Sequence, residues 1–200
     1  MGLILDRRRV MGSTSLPYDA EIEYLELKGA SINTGYVPQD YNVSVSTKIR
    51  LLGYLSNTEW AGWFSAYTGQ DYNAYRVIRY NQENNRIHVN FGIRAGSSSG
   101  RQYEITNDTD YVFNMWASCT QINGVDYTSG DIGIQNTSSF KLGAPAFWGR
   151  FYYFKVFKNN GIVLDLIPVR VGQTGYMYDK VSGQLFGNSG TGDFILGNDI

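Results

Sequence analysis

The chain has 200 residues, 42 % hydrophobic and 18 % charged side chains, and a net charge of −1. That is enough apolar material for a core without staples, and too little positive charge for a general nucleic-acid binder, which displaces counterions with a basic face. One cysteine, Cys119, and one histidine, His88, exclude an intrachain disulfide and any multi-cysteine or multi-histidine metal site, and no run of about 18 apolar residues offers a membrane-spanning helix.

Residues 1–20 read as an N-terminal arm and linker. The segment MGLILDRRRVM places Leu3, Ile4 and Leu5 ahead of Arg7, Arg8 and Arg9. A secretory signal has the reverse order and a longer apolar stretch, so no signal peptide is expected. Gly2 lacks the downstream Ser or Thr that myristoylation needs, the position being Asp6. Gly12-Ser13-Thr14-Ser15-Leu16-Pro17 has linker composition.

Residues 21–200 read as one domain, and there the hydrophobic period is two. Val43, Val45, Thr47, Ile49 and Leu51 share one face, and Ser44, Ser46, Lys48 and Arg50 the other. Ile87, Val89 and Phe91 alternate with Arg86, His88 and Asn90, and Tyr111, Phe113 and Met115 with Val112, Asn114 and Trp116. Tyr152, Phe154 and Val156 alternate with Tyr153, Lys155 and Phe157. Asn123-Gly124, Asn160-Gly161 and Ser182-Gly183 predict the turns. No stretch has the period and caps of an amphipathic helix. Many short strands predict an all-β fold, an antiparallel β-sandwich of jelly-roll type with an extended N-terminal arm.

Catalytic patterns are sparse. A retaining glycosidase of sandwich type sets two carboxyls about 5–5.5 Å apart on one strand face. The six glutamates, at 21, 23, 26, 59, 83 and 104, form no Glu-x-Asp-x-Glu. Asp108-x-Asp110 is the nearest pair and reads as a loop. His88 lies on the polar side of its strand, no Gly-x-Ser-x-Gly elbow accompanies it, and Cys119 reads as a buried structural thiol. No catalytic residue and no cofactor is expected. Calcium needs six to eight oxygens; Asp71, Asp108, Asp110, Asp126 and Asp131 fall in predicted loops without clustering, which neither requires nor rules out calcium. Trp60, Trp63, Tyr67, Tyr72 and Tyr75 form an aromatic-rich stretch. Its polar and apolar residues do not alternate, so these rings are candidates for a glycan platform or an interface as well as for the core.

Three stretches carry a family resemblance. IEYLELKGASINTGYVP (22–38), GRFYYFKVFKNNGIVLDLIPVR (149–170) and GYMYDKVSGQLFGNSGTGDFILG (175–197) resemble the laminin-G-like, or concanavalin A-like, jelly-roll domains of gut bacteria and tailed phages. Asp165 in the second and Asp179 in the third are expected to accept turn or backbone hydrogen bonds, and Gly190 and Gly192 in the third to take positive φ. The resemblance implies a concanavalin A-like jelly roll. Such domains are common outside cells, yet no secretion signal is read here; a virion protein, made in the host cytoplasm and released by lysis, reconciles the two. The arm is similar to the short apolar, arginine-rich N-terminal stretches of such proteins, which implies anchoring to other virion proteins through Leu3, Ile4, Leu5, Arg7, Arg8 and Arg9. The expectation is a non-enzymatic phage head fibre, decoration or tail-associated protein, a homo-oligomer such as a trimer, without nucleic-acid binding or membrane insertion. The alternative is a lectin-like module for a host-surface glycan; a glycosidase is more remote.

Overall fold

The computed structural model describes residues 15–39, 42–56, 62–67, 73–79, 86–93, 101–116, 119–128 and 138–200. Among these every regular element is a strand. The chain opens with β1 (Ala20–Glu21), β2 (Leu25–Lys28) and β3 (Ile32–Asn33), then the long β4 (Val43–Tyr54). β5 (Gly62–Tyr67), β6 (Asn73–Arg79), β7 (Arg86–Ile93) and β8 (Arg101–Glu104) follow as a meander. Next come β9 (Thr109–Trp116), β10 (Cys119–Ile122), β11 (Val125–Thr128) and β12 (Lys141–Leu142). The last five are β13 (Phe147–Lys158), β14 (Gly161–Val171), β15 (Thr174–Asp179), β16 (Leu185–Phe186) and β17 (Asp193–Leu196).

Two antiparallel sheets result, as expected for a β-sandwich. The larger runs β11-β10-β9-β4-β13-β14-β15-β16, and the smaller runs β3-β12-β5-β6-β7-β8. The larger sheet forks at β13. One edge of β13 pairs with β4 along its whole length. The other edge pairs with β2 at Trp148–Phe151 and with β14 from Phe154 onward. β2 in turn pairs with β17, so a strand from near each end of the chain fills the fork.

β4 shows why the period of two forms a sheet. Val43, Val45, Thr47, Ile49 and Leu51 are buried, while Ser44, Ser46, Lys48 and Arg50 are half-buried on the outer face. The inner face meets the smaller sheet through rings: Trp63 lies 5.6 Å from Tyr111 and 5.8 Å from Phe113, and Phe64 lies 5.5 Å from Phe154. Edge-to-face pairs of this kind add to the area term of burial.

Two bulges change the predicted faces. In β5, Gly62 faces Ile78 and Phe64 faces Val77, which leaves Trp63 as the extra residue. Trp63 and Phe64, consecutive in sequence, are therefore both buried. In β13, Phe151 faces Ile49 and Tyr153 faces Lys48, so Tyr152 is extra. Phe151, Phe154 and Val156 point inward, and Tyr152 does not share their face as simple alternation predicts. The Thr47 hydroxyl donates to the Tyr153 carbonyl at 2.6 Å, which satisfies a polar group at the bulge and a buried threonine together.

The turns follow glycine and asparagine chemistry. Asn123 and Gly124 have φ of 50° and 81°, the two left-handed residues of a type I′ hairpin. At the next hairpin Asn159 and Asn160 hold these positions, at 49° and 63°, and Gly161 is already paired with Lys158. The predicted Asn160-Gly161 turn thus lies one residue earlier, because asparagine also tolerates the left-handed region. Gly183 turns between β15 and β16. Gly190 and Gly192 are absent from the positive-φ residues, contrary to expectation. They are glycines for space: a Cβ on Gly190 would lie 2.8 Å from Ser31 Oγ, and one on Gly192 would overlap the Lys28 carbonyl and the Gly29–Ala30 backbone.

Candidate functional site

The root of the arm is a clasp. Asp19 N–H donates to the Arg170 carbonyl, Ile22 N–H to Pro168, and Glu23 N–H to Asn198. Ala20 faces Arg170 and Glu21 faces Val169 in β14. Ile22 bridges to Asp199, and Ile200 N–H returns a bond to the Glu21 carbonyl. Arg170 grips Asp199 through Nε and Nη2 at 2.6 and 2.5 Å, a bidentate pair. The Tyr18 ring meets Tyr178 edge-on at 4.9 Å and its hydroxyl donates to Glu21 at 3.0 Å. Residues 18–20, which composition places in the arm, are thus docked on the domain. The side chains read as anchors, Leu3, Ile4, Leu5, Arg7, Arg8 and Arg9, lie outside the described residues.

The third sequence motif has a structural centre. Asp179 is 2 % exposed. Its carboxylate accepts from the N–H groups of Asp165, Val181 and Ser182 and from the Ser182 hydroxyl. Burial alone would raise its pKa; the Ser182 hydroxyl and the three N–H groups outweigh it and hold the carboxyl below its ordinary range. Asp179 thus closes the β15–β16 turn. Asp165 pairs with Lys155, its partner across the β13–β14 ladder, at 3.2 Å.

The outer face of the larger sheet carries a row of charges. Glu26 of β2 faces Arg150 of β13, Arg150 faces Arg50 of β4, and Arg50 faces Asp110 of β9. Glu26 is 4 % exposed, covered by its neighbours: Trp148 Nε1 donates to one carboxylate oxygen and Arg150 Nε to the other, both at 2.8 Å. The Arg150 guanidinium stacks over Tyr24 at 4.2 Å, and Lys48 over Tyr152 at 4.3 Å. Arg50 reaches Asp108 and Asp110, and Lys48 reaches Asp110 at 2.9 Å. Burial would raise the pKa of Asp110; Lys48 and Arg50 outweigh it and hold it low. Asp108, in the turn before β9, and Asp110, inside β9, are thus both ion-paired.

Against this geometry, comparison with protein-family models and with curated proteins finds no match for the chain.

Among the candidate rings of the aromatic stretch, Trp63 belongs to the core. Trp63 is 0 % exposed, and its indole N–H donates to the Tyr54 hydroxyl. It is a core residue and offers nothing to a glycan. Tyr67 and Tyr75 lie on β5 and β6, with Tyr67 facing Ala74 and Tyr75 facing Ala66. Trp60 and Tyr72 lie outside the described residues, as do Asp71 and Asp131. Among the described residues no three His, Cys, Asp or Glu side chains converge as metal ligands. Cys119 is half-buried at the start of β10 rather than buried. The outer-face cluster went unrecognised because its members are scattered from Tyr24 to Tyr152. Only the cross-strand register unites them, and the one local hint was the polar half of the β4 alternation.

Proposed function

We propose that the protein is a non-enzymatic phage virion protein, a head fibre, decoration or tail-associated component. In this reading a concanavalin A-like jelly roll is displayed outward and the N-terminal arm, residues 1–20, anchors it to other virion proteins. The observation that carries the reading is the clasp. An anchored domain must pass load from its tether into its fold. Here the chain leaving the arm is tied to β14 and to the final residues by backbone bonds and a bidentate ion pair. The outer-face acids Glu26, Asp108 and Asp110 are occupied by cations, which suits a structural face better than proton transfer. Homo-oligomeric display and a virion location belong to the same proposal.

Light scattering of the full chain and of a version beginning at Leu16, alone and with candidate particle proteins, tests it. Only the full chain should assemble or dock, and deletion of residues 2–12 should abolish incorporation into particles. Unchanged incorporation sinks the anchor. A second reading, a lectin-like module, is favoured by the aromatic and charged outer face around Tyr24, Trp148 and Tyr152. It predicts glycan binding with a dispensable arm, and the two readings are compatible on one displayed domain.

A further inference from the structure

The centre of the outer-face row is electrostatically odd. Arg50 and Arg150 stand directly opposite each other on adjacent strands. Directly opposed side chains have Cβ atoms about 4.5–5.5 Å apart, and like charges so placed repel. Each guanidinium is drawn outward by its own acid: Arg150 uses only Nε, to Glu26, and Arg50 uses Nε and Nη1, to Asp108 and Asp110. Both Nη atoms of Arg150 and Nη2 of Arg50 have no hydrogen-bond partner among the described residues, while both side chains are about 30 % exposed. Stacking on Tyr24 holds Arg150 in place, so its fork is oriented before any ligand arrives.

We infer that Arg50 and Arg150 form an oxyanion site for the carboxylate of an acidic saccharide. A planar carboxylate matches the guanidinium fork. It would also neutralise the repulsion that the two opposed arginines carry. The flanking carboxylates Glu26, Asp108 and Asp110 confine the site to a single carboxylate group and disfavour the denser, more highly charged run of a polyphosphate, which needs an uninterrupted basic track. A peptide strand adds to a free sheet edge, but here β13 is paired on both sides, with β2 and β4, and β4 with β13 and β9. A saccharide needs only side chains, and Trp148 and Tyr152 border the pair, half-buried, through Glu26 and Asp110. The inference rests on the lectin-like reading and narrows it to an acidic ligand and a named face.

Titration calorimetry of the full chain against oligogalacturonate, alginate and hyaluronan oligomers tests it, with methyl-esterified oligogalacturonate and poly-glutamate as comparison ligands. The expected result is saturable binding to at least one uronate oligomer that weakens with salt. Arg50→Gln should weaken it about tenfold, the loss of one charge-assisted contact. Arg150→Lys keeps a cation near Glu26 and removes the fork, and should weaken binding similarly, with a cooperative thermal transition showing that the variant remains folded. The absence of binding to all three uronates up to millimolar concentration overturns the inference. Equal binding of the methyl ester overturns it while leaving the lectin-like reading intact, and tighter binding of poly-glutamate overturns the saccharide in favour of an acidic peptide.

Discussion

At the residue scale the largest stake lies in a single carboxylate. Asp179 accepts four hydrogen bonds inside the fold, three from backbone N–H groups. Asp179→Ala would leave those donors unpaired at a site 2 % exposed, and should cost about 3 kcal/mol. Asp179→Asn should cost nearly as much, because the new amide donors face donors. The lowered native pKa gives the pH dependence its sign. The unfolded carboxyl holds its proton to higher pH than the native one. The contribution is therefore complete above the ordinary aspartate value of about 3.9 and is lost as pH falls through the native value. Urea midpoints of the native chain should fall from pH 5 to pH 2, and those of Asp179→Asn should fall less. Parallel curves would remove Asp179 from the account.

At the element scale the bulges matter most, because they decide which aromatics are inside. The extra residue Tyr152 turns its ring to the outer face, where Lys48 stacks on it, and frees the Tyr153 carbonyl for Thr47. Thr47→Val keeps shape and burial but removes that hydroxyl. It should destabilise the domain by about 1–3 kcal/mol, the cost of orphaning one polar partner in a poorly hydrated place. Chemical denaturation measures it; an unchanged or raised midpoint would mean that the bulge stands without Thr47. The hairpin turns are less sensitive, since both Asn-Gly and Asn-Asn reach the left-handed region that type I′ demands.

At the scale of the molecule, the clasp joins the first described residues to the last. Arg170→Ala removes its ion pairs and leaves the backbone ladder. Hydrogen exchange should quicken at Asp19, Ile22, Glu23 and Ile200, while amides at the centre of β4 and β13 stay protected. Uniform protection in the variant would show that the ladder alone holds the root. On the proposed virion reading, the same variant, unlike a deletion of the arm, should still incorporate into particles and be lost from them more readily under shear.

Much of the fold was legible because a strand writes its buried face at every second residue. Val43 to Leu51 and Tyr111 to Met115 were placed on the correct side from that pattern alone, and Asn123-Gly124 marked its own turn. Local order also marked Asp179 as a turn residue. What the sequence could not carry is anything that depends on register between strands far apart in the chain. A bulge adds one residue and reverses parity, so Tyr152 moved outward and Trp63 stayed inside among Tyr111, Phe113 and Phe147. The glycines at 190 and 192 answer to the close passage of residues 28–31, a contact no local rule reveals. Glu26, Arg150, Arg50 and Asp110 sit in one row only because four strands align at those positions. By itself, then, the sequence determined strand faces and turn chemistry, since these are properties of neighbouring residues. The tertiary structure decided the clasp and the outer-face row, since pairing energy is shared between segments far apart in the chain.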